Sequence, residues 1–317
     1  MRPSPSARST PMTSAVVFAY HNVGVRCLLT LHARGVDVTL VVTHRDDPAE
    51  TIWFDSVAQT AAERGIAVAM PDAANDQALF DAVTKLRPDF IFSFYYRHML
   101  PAGLLALAAR GAYNMHGSLL PKYRGRAPVN WAVLNGETET GATLHEMAAR
   151  PDAGAIVAQT AVPILPDDTA HEVFGKVTVA AEMTLWNVLP DLIAGTAPRL
   201  SNDLSKGSYF GGRKPEDGRI DWTHSAQRVY NLVRAVAPPY PGAFCDVATR
   251  DGIKRMIVAN AYLVDALHPA HLKLGLTVAD NRVFGICGDG RALAITRLLC
   301  DGAEISAVDL AAHLLSQ

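Results

Sequence analysis

From Ser14 onward the chain alternates short runs of β-branched and aromatic residues with longer stretches whose apolar positions fall three or four apart. This alternation restricts the fold more than any other feature of the sequence. Val16 to Ala19, Val36 to Thr43, Phe90 to Phe94 and Ala112 to Met115 read as strands of a parallel sheet, since strands covered on both faces need near-continuous apolar runs. Val25 to Arg34, Trp53 to Arg64, Ala78 to Leu86 and Leu104 to Arg110 read as the intervening helices. Repeated βα units predict an α/β fold with a doubly wound, mostly parallel sheet. Ligands of such sheets gather beyond the carboxyl ends of the strands, so the loops after Ala19, Phe94 and Met115 are expected to surround one crevice.

Downstream, Thr169 to Ile193 predicts a long helix, with Asp167 and Asp168 as capping carboxylates and Pro190 interrupting its far end. Ser201 to Gly218 is dense in Gly, Ser, Asp and Lys and reads as a linker or binding loop. After a helix over Ser225 to Val236, the segments Ile257 to Val264, Leu272 to Val278, Arg282 to Cys287 and Ala292 to Leu298 read as short strands. The expected architecture is therefore a Rossmann-like sheet domain followed by a smaller β-rich, OB-like module. Its expected divisions are a disordered Pro- and Ser-rich leader over residues 1–13, a catalytic domain over 14–203 and a C-terminal domain with its linker over 204–317.

Several function classes fall away on composition. The 29 Lys and Arg nearly balance 31 Asp and Glu, so there is no global positive field to draw in nucleic acid or an anionic membrane. No segment approaches the roughly 20 consecutive apolar residues of a membrane span. Cys27, Cys245, Cys287 and Cys300 form no CxxC pair, so neither a metal site nor a disulfide framework is expected, and a reducing cytoplasm fits best. The first βα loop, Tyr20-His21-Asn22-Val23-Gly24, lacks GxGxxG spacing, which argues against a nicotinamide dehydrogenase, and no P-loop is present.

The densest polar run, Asn114-Met115-His116-Gly117-Ser118-Leu119-Leu120-Pro121-Lys122-Tyr123-Arg124-Gly125-Arg126, follows directly on a predicted strand, where a crevice should lie. Asn114 and His116 are two apart, so in extended backbone their side chains leave the same face. An Asn that donates to a developing oxyanion and a His that manages amine protons together suit acyl transfer to an amine. Asp152 completes the set if it reaches His116, where it should raise the imidazole pKa; by itself it reads equally as a turn residue before Gly154. Lys122 and Arg124 read as a solvated loop face, and Arg126 as a ligand contact. Tyr95 and Tyr96 are either core packing or a wall of the crevice, while His21, His145 and His171 have no convincing partners in sequence.

The run HGSLLPKYRGRAP, followed by NW, NGE, TG and the Asp of Arg150-Pro151-Asp152-Ala153-Gly154, resembles the 10-formyltetrahydrofolate-dependent formyltransferases. The likeness runs from Val16 nearly to the end, with Phe210 to Trp222 and Val233 to Phe244 resembling the family's C-terminal module. It implies that Asn114, His116 and Asp152 are catalytic, that His98, Met99 and Leu100 pass the pterin, that Arg126 meets the folate, and that Ala148, Ala149, Arg150, Pro151 and Asp152 border it. Phe210, Arg213 and Lys214 are the implied contacts for the uracil or phosphates of a nucleotide sugar.

VVFAYH, FSFYYRH and NGETETG are similar to the formyltransferase domain of bifunctional enzymes acting on UDP-4-amino-4-deoxy-L-arabinose. This implies formylation of that sugar's 4-amino group, with 10-formyltetrahydrofolate as co-substrate and no metal, in the route that decorates lipid A and confers resistance to cationic peptides such as polymyxin. In those relatives a dehydrogenase-decarboxylase domain follows; here Gln317 ends the chain before any second dinucleotide fold, so that chemistry is expected elsewhere. The rival readings are a methionyl-tRNA formyltransferase, a formyltransferase for a deoxythymidine-linked amino sugar, and a non-enzymatic folate sensor. Charge balance speaks against the first, and Asn114, His116 and Asp152 together speak against the last.

Overall fold

The computed structural model describes residues 12–250, 252–264 and 273–314; most of the expected leader and Leu272 lie outside these residues. Two compact units emerge, one formed by Met1–Pro121, Gly141–Thr160 and Thr178–Lys206, the other by Lys122–Thr140, Ala161–Val177 and Gly207–Gln317.

The chain begins with β1 (Ser14–Ala19), α1 (His21–Ala33), β2 (Asp37–Val42), α2 (Val57–Ala62), β3 (Val68–Ala69), α3 (Gln77–Leu86), β4 (Phe90–Phe94), α4 (Ala102–Leu105) and β5 (Gly111–His116). It continues through β6 (Arg124–Gly125), α5 (Pro128–Leu134), β7 (Glu139–Glu146), β8 (Ile156–Pro163) and α6 (Ala170–Ala194). The main sheet has seven strands in the order β3-β2-β1-β4-β5-β7-β8. Pairing is parallel from β3 through β5, and β7 joins β5 antiparallel. The mostly parallel, doubly wound sheet is thus as the βα alternation predicts. The chain reverses direction across the sheet between β1 and β4, and the loops leaving their carboxyl ends open there.

Apolar runs on the strands build the core. Val16, Phe18, Leu40, Val42, Ile91, Leu79, Val83 and Leu104 form one buried cluster on one face of the sheet. Gly24 lets α1 approach β1, since a Cβ there would stand 3.1 Å from Val57 and 3.2 Å from Ala19.

Two expectations about α6 need correction. Thr169 and Glu172 cap it, not the aspartates: Thr169 N–H donates to the Glu172 carboxylate at 2.7 Å, and Glu172 N–H donates to Thr169 Oγ1 at 3.3 Å. Asp167 instead accepts the Tyr230 hydroxyl at 2.6 Å, and Asp168 accepts the Leu165 amide and pairs with Lys176. Nor does Pro190 interrupt the helix, which runs unbroken from Ala170 to Ala194, close to the expected Thr169 to Ile193. Proline cannot donate to the carbonyl four residues back, but Arg34 Nη2 donates to that Trp186 oxygen at 2.8 Å, and Arg110 donates to the last carbonyls, of Leu192 and Ile193.

In the second unit, β9 (Tyr209–Phe210) pairs parallel with β6, so part of the expected linker is ordered as a strand. Then follow α7 (Ala226–Val236), β10 (Ala243–Thr249), β11 (Gly252–Val264), β12 (Gly275–Ala279), β13 (Arg282–Ile286), β14 (Ala292–Cys300), β15 (Ala303–Glu304) and α8 (Ala307–His313). An antiparallel sheet in the order β10-β11-β14-β13-β12 makes this the smaller β-rich module, with β15 on β14. Ser225, expected as the first residue of α7, is its cap, the hydroxyl accepting the Arg228 amide at 3.4 Å. Gly285 admits Trp222, whose ring would lie 2.3 Å from a Cβ at that position. The four cysteines are free, and among the described residues no helix is long and apolar enough to cross a membrane.

Candidate active site

The first unit gathers its polar side chains where β5 ends. Asn114 and His116 lie on β5, His116 only 6% exposed. Across the antiparallel ladder Asn114 faces His145 and His116 faces Thr143. Thr143 Oγ1 donates to the Ser118 carbonyl at 2.6 Å and accepts the Leu120 amide at 3.2 Å, while Gln159 Nε2 donates to the Leu120 carbonyl and to Thr143 Oγ1, each at 2.9 Å. These bonds pin the Ser118–Leu120 turn and with it the end of β5. Tyr95, just past β4, covers Gly117 so closely that a Cβ there would meet its hydroxyl at 1.7 Å. Tyr95 therefore packs against the turn that follows β5. Tyr96 is core, stacked on His44 at 4.1 Å and edge-on to Phe18.

Asp152 comes from the turn between β7 and β8. Its backbone is left-handed (φ 49°), and its carbonyl and that of Gly154 both accept Asn202 Nδ2 at 3.0 Å. The turn delivers Asp152 Oδ1 to 3.6 Å from His116 Nδ1 and 3.5 Å from His145 Nε2, so one largely buried carboxylate faces two imidazoles. His145 Nε2 is also 3.0 Å from Asn114 Nδ2, and its Nδ1 is 2.7 Å from the Glu146 carbonyl. The sequence offered no partner for His145; the register of β7 supplies two. Although two histidines and an aspartate meet here, no metal-binding group of three or more His, Cys, Asp or Glu occurs among the described residues.

Gly154 permits the tight return of this turn, because a Cβ would stand 1.9 Å from the Glu146 backbone oxygen. Gly154→Ala is expected to cost about 3 kcal/mol or more, read as a fall of several degrees in the melting midpoint, and to impair catalysis with it. A variant as stable as the wild type would show that the turn can shift at no cost.

The residues expected near the pterin follow β4. His98 and Met99 are exposed, whereas Leu100 is buried in the core, so only its backbone is available to a ligand. His98 stands edge-on to His44, whose own pKa is pushed down to about 4 by burial first and then by His98 and Arg97; neutral at physiological pH, His44 Nε2 accepts the Arg97 amide at 3.0 Å. Ala148, Ala149 and Arg150 are exposed, and Pro151 half-buried, on the Asp152 turn. In the first βα loop, His21 also has φ above zero (66°), and its ring stacks on Phe54 at 3.9 Å with Trp53 edge-on.

The remaining expected contacts belong to the second unit. Arg126 is exposed and lies beside Gly212, where a Cβ would be 3.6 Å from its side chain. Phe210 is stacked on Tyr123 at 5.3 Å and on Trp131 at 4.7 Å. The Arg213 guanidinium lies over the Trp131 ring at 4.8 Å, its pKa lowered by desolvation, and Lys214 is exposed. Arg124 is not a solvated loop residue: pairing of β6 with β9 leaves it 5% exposed, with Nε and Nη1 lacking hydrogen-bond partners among the described residues.

A side-chain amide and an imidazole faced by a carboxylate, at the carboxyl rim of a doubly wound sheet, have the chemistry that acyl transfer needs. The chain belongs to the formyl transferase family: residues 16–189 match the formyl transferase model and residues 213–314 the formyl transferase C-terminal domain. It is a formyltransferase. Among solved structures, the N-formyltransferase from Helicobacter canadensis in complex with folinic acid and dTDP-3-aminofucose is 18% identical, with a TM-score of 0.65 over 90% of this chain and 98% of that one. WlaRD, a sugar 3N-formyl transferase solved in the presence of dTDP and 5-N-formyl-THF, is 17% identical, with a TM-score of 0.68 over 93% of this chain and 100% of its own. HypX from Aquifex aeolicus in complex with tetrahydrofolic acid is 19% identical, with a TM-score of 0.63 over 95% of this chain and 47% of HypX. At such identities the likeness is one of fold.

Proposed function

We propose that this enzyme transfers the formyl group of 10-formyltetrahydrofolate to the 4-amino group of UDP-4-amino-4-deoxy-L-arabinose. The observation that carries the reading is the Asp152 carboxylate facing the buried His116, with Asn114 two residues before it on the same strand. The sugar amine attacks the formyl carbon, forming the new C–N bond while the carbonyl electron pair moves onto oxygen. Asn114 donates to that oxyanion. His116, its imidazolium stabilised by Asp152, takes a proton from the attacking nitrogen and returns one to N10 of the folate as the old C–N bond breaks. The products are the sugar formamide and tetrahydrofolate, with one proton moved from amine to N10.

His98, Met99 and Leu100 and the turn from Ala148 to Asp152 are the proposed folate contacts in the first unit. Folate compounds bound to the three solved structures support a folate donor. Arg213 and Lys214 offer cations to a diphosphate, and Phe210 a ring to the base. The two family matches, ending at 189 and resuming at 213, support dividing the chain into a catalytic domain over 14–203 and a C-terminal domain over 204–317. Free cysteines support a cytoplasmic setting, and the product would feed lipid A decoration.

A second reading, an amino sugar on a dTDP carrier, is favoured by the dTDP ligands of the Helicobacter canadensis enzyme and WlaRD. Incubating purified protein with 10-formyltetrahydrofolate and a panel of UDP- and dTDP-linked amino sugars and methionyl-tRNA, with product detected by mass, separates the readings. UDP-4-amino-4-deoxy-L-arabinose should give the highest kcat/KM. Preference for a dTDP sugar would replace the acceptor, and preference for tRNA would overturn the sugar reading altogether.

A further inference from the structure

We propose that His145 is a positioning residue, which locks the Asn114 amide with its nitrogen toward the reaction and leaves Asp152 to serve His116. It rests on the reading of Asn114 as oxyanion donor and goes beyond it. His145 is 2% exposed on β7, directly opposite Asn114 in the antiparallel register. Its Nδ1 is 2.7 Å from the Glu146 carbonyl oxygen, which can only accept, so Nδ1 carries a hydrogen. In the neutral ring Nε2 is then an acceptor, and the group 3.0 Å away on Asn114 must be the amide nitrogen.

Two consequences follow. One Nδ2 hydrogen is held by His145, so the amide cannot turn its oxygen to where a negative charge develops, and the second hydrogen is fixed in direction. Second, the Nε2 lone pair gives Asp152 Oδ1, 3.5 Å away, no hydrogen to accept, whereas His116 Nδ1, 3.6 Å from the same oxygen, can offer one. A doubly protonated His145 would reverse both arrangements, drawing Asp152 to itself and turning the Asn114 oxygen inward. The ionisable groups around it are Asp152 and, with ring centroids 6.5 Å apart, His116; the adjoining Glu146 side chain is paired with Arg199 at 2.7 Å.

The test has a spectroscopic arm that needs no acceptor and a kinetic arm that does. Histidine long-range 15N spectra of the full chain at neutral pH, with His145→Gln assigning the signal, should show His145 as the neutral Nδ1–H tautomer. In transfer from 10-formyltetrahydrofolate to the acceptor that the wild type formylates fastest, His145→Leu should lose roughly 10²-fold in kcat with KM for the folate within about twofold, the scale of a misplaced catalytic group. His145→Gln, whose carbonyl can accept from Asn114, should recover most of that loss. An Nε2–H tautomer or an imidazolium would overturn the proposal, as would wild-type kcat in His145→Leu or equal defects in both variants. If His145→Leu fails to fold, the tautomer and the rate of His145→Gln decide. Failure of one nominated sugar as acceptor bears on the proposed function alone, because the tautomer is read without it.

Discussion

Asp152→Asn is expected to lower kcat for formyl transfer by about 10³-fold or more while the protein melts close to the wild-type temperature. The substitution keeps the shape of the side chain and removes its charge. That charge faces His116 at 3.6 Å and is the carboxylate that stabilises an imidazolium there. The fold should tolerate the change for two reasons. Asparagine adopts left-handed backbone readily, as φ 49° requires, and the bonds from Asn202 go to backbone carbonyls that the substitution leaves in place. Steady-state kinetics with detection of the formylated product, beside a thermal melt, make the comparison; a rate near that of the wild type would remove Asp152 from the catalytic set.

Asn114→Ala is the second large effect, about 10² to 10³-fold in kcat with little change in KM, as for other losses of a single oxyanion donor. It also strips the buried Nε2 of His145 of its donor at 3.0 Å, so a modest destabilisation of about 1 to 2 kcal/mol accompanies it. An effect on KM alone would instead make Asn114 a ground-state binding residue.

The parallel half of the fold was legible because its signals are local. Phe90–Phe94 is a fully buried strand, apolar but for Ser93, and Val16–Ala19 lies within β1. Asn114 and His116 were legible for the same reason, being two apart on one strand. β7 escaped notice because Thr140, Thr143 and His145 are buried polar residues that break up both an apolar run and a regular alternation. The importance of His145 arises only when β7 pairs with β5, a contact between residues 31 apart. The Thr169–Glu172 capping box, by contrast, is written in the sequence in its usual spacing, and the neighbouring aspartates drew attention from it. Arg124 reads as solvated because its segment is rich in charge and glycine; pairing of β6 with β9 buries it.

The central claim is that formyl transfer takes place between Asn114, His116 and Asp152. A crystal structure with 5-formyltetrahydrofolate and the unreactive nucleotide portion of the acceptor tests it directly. The formyl oxygen is expected within hydrogen-bonding reach, roughly 3 Å, of the Asn114 amide, with the His116 imidazole beside the formyl group. A formyl group bound away from both, with the pterin ordered elsewhere, would contradict it.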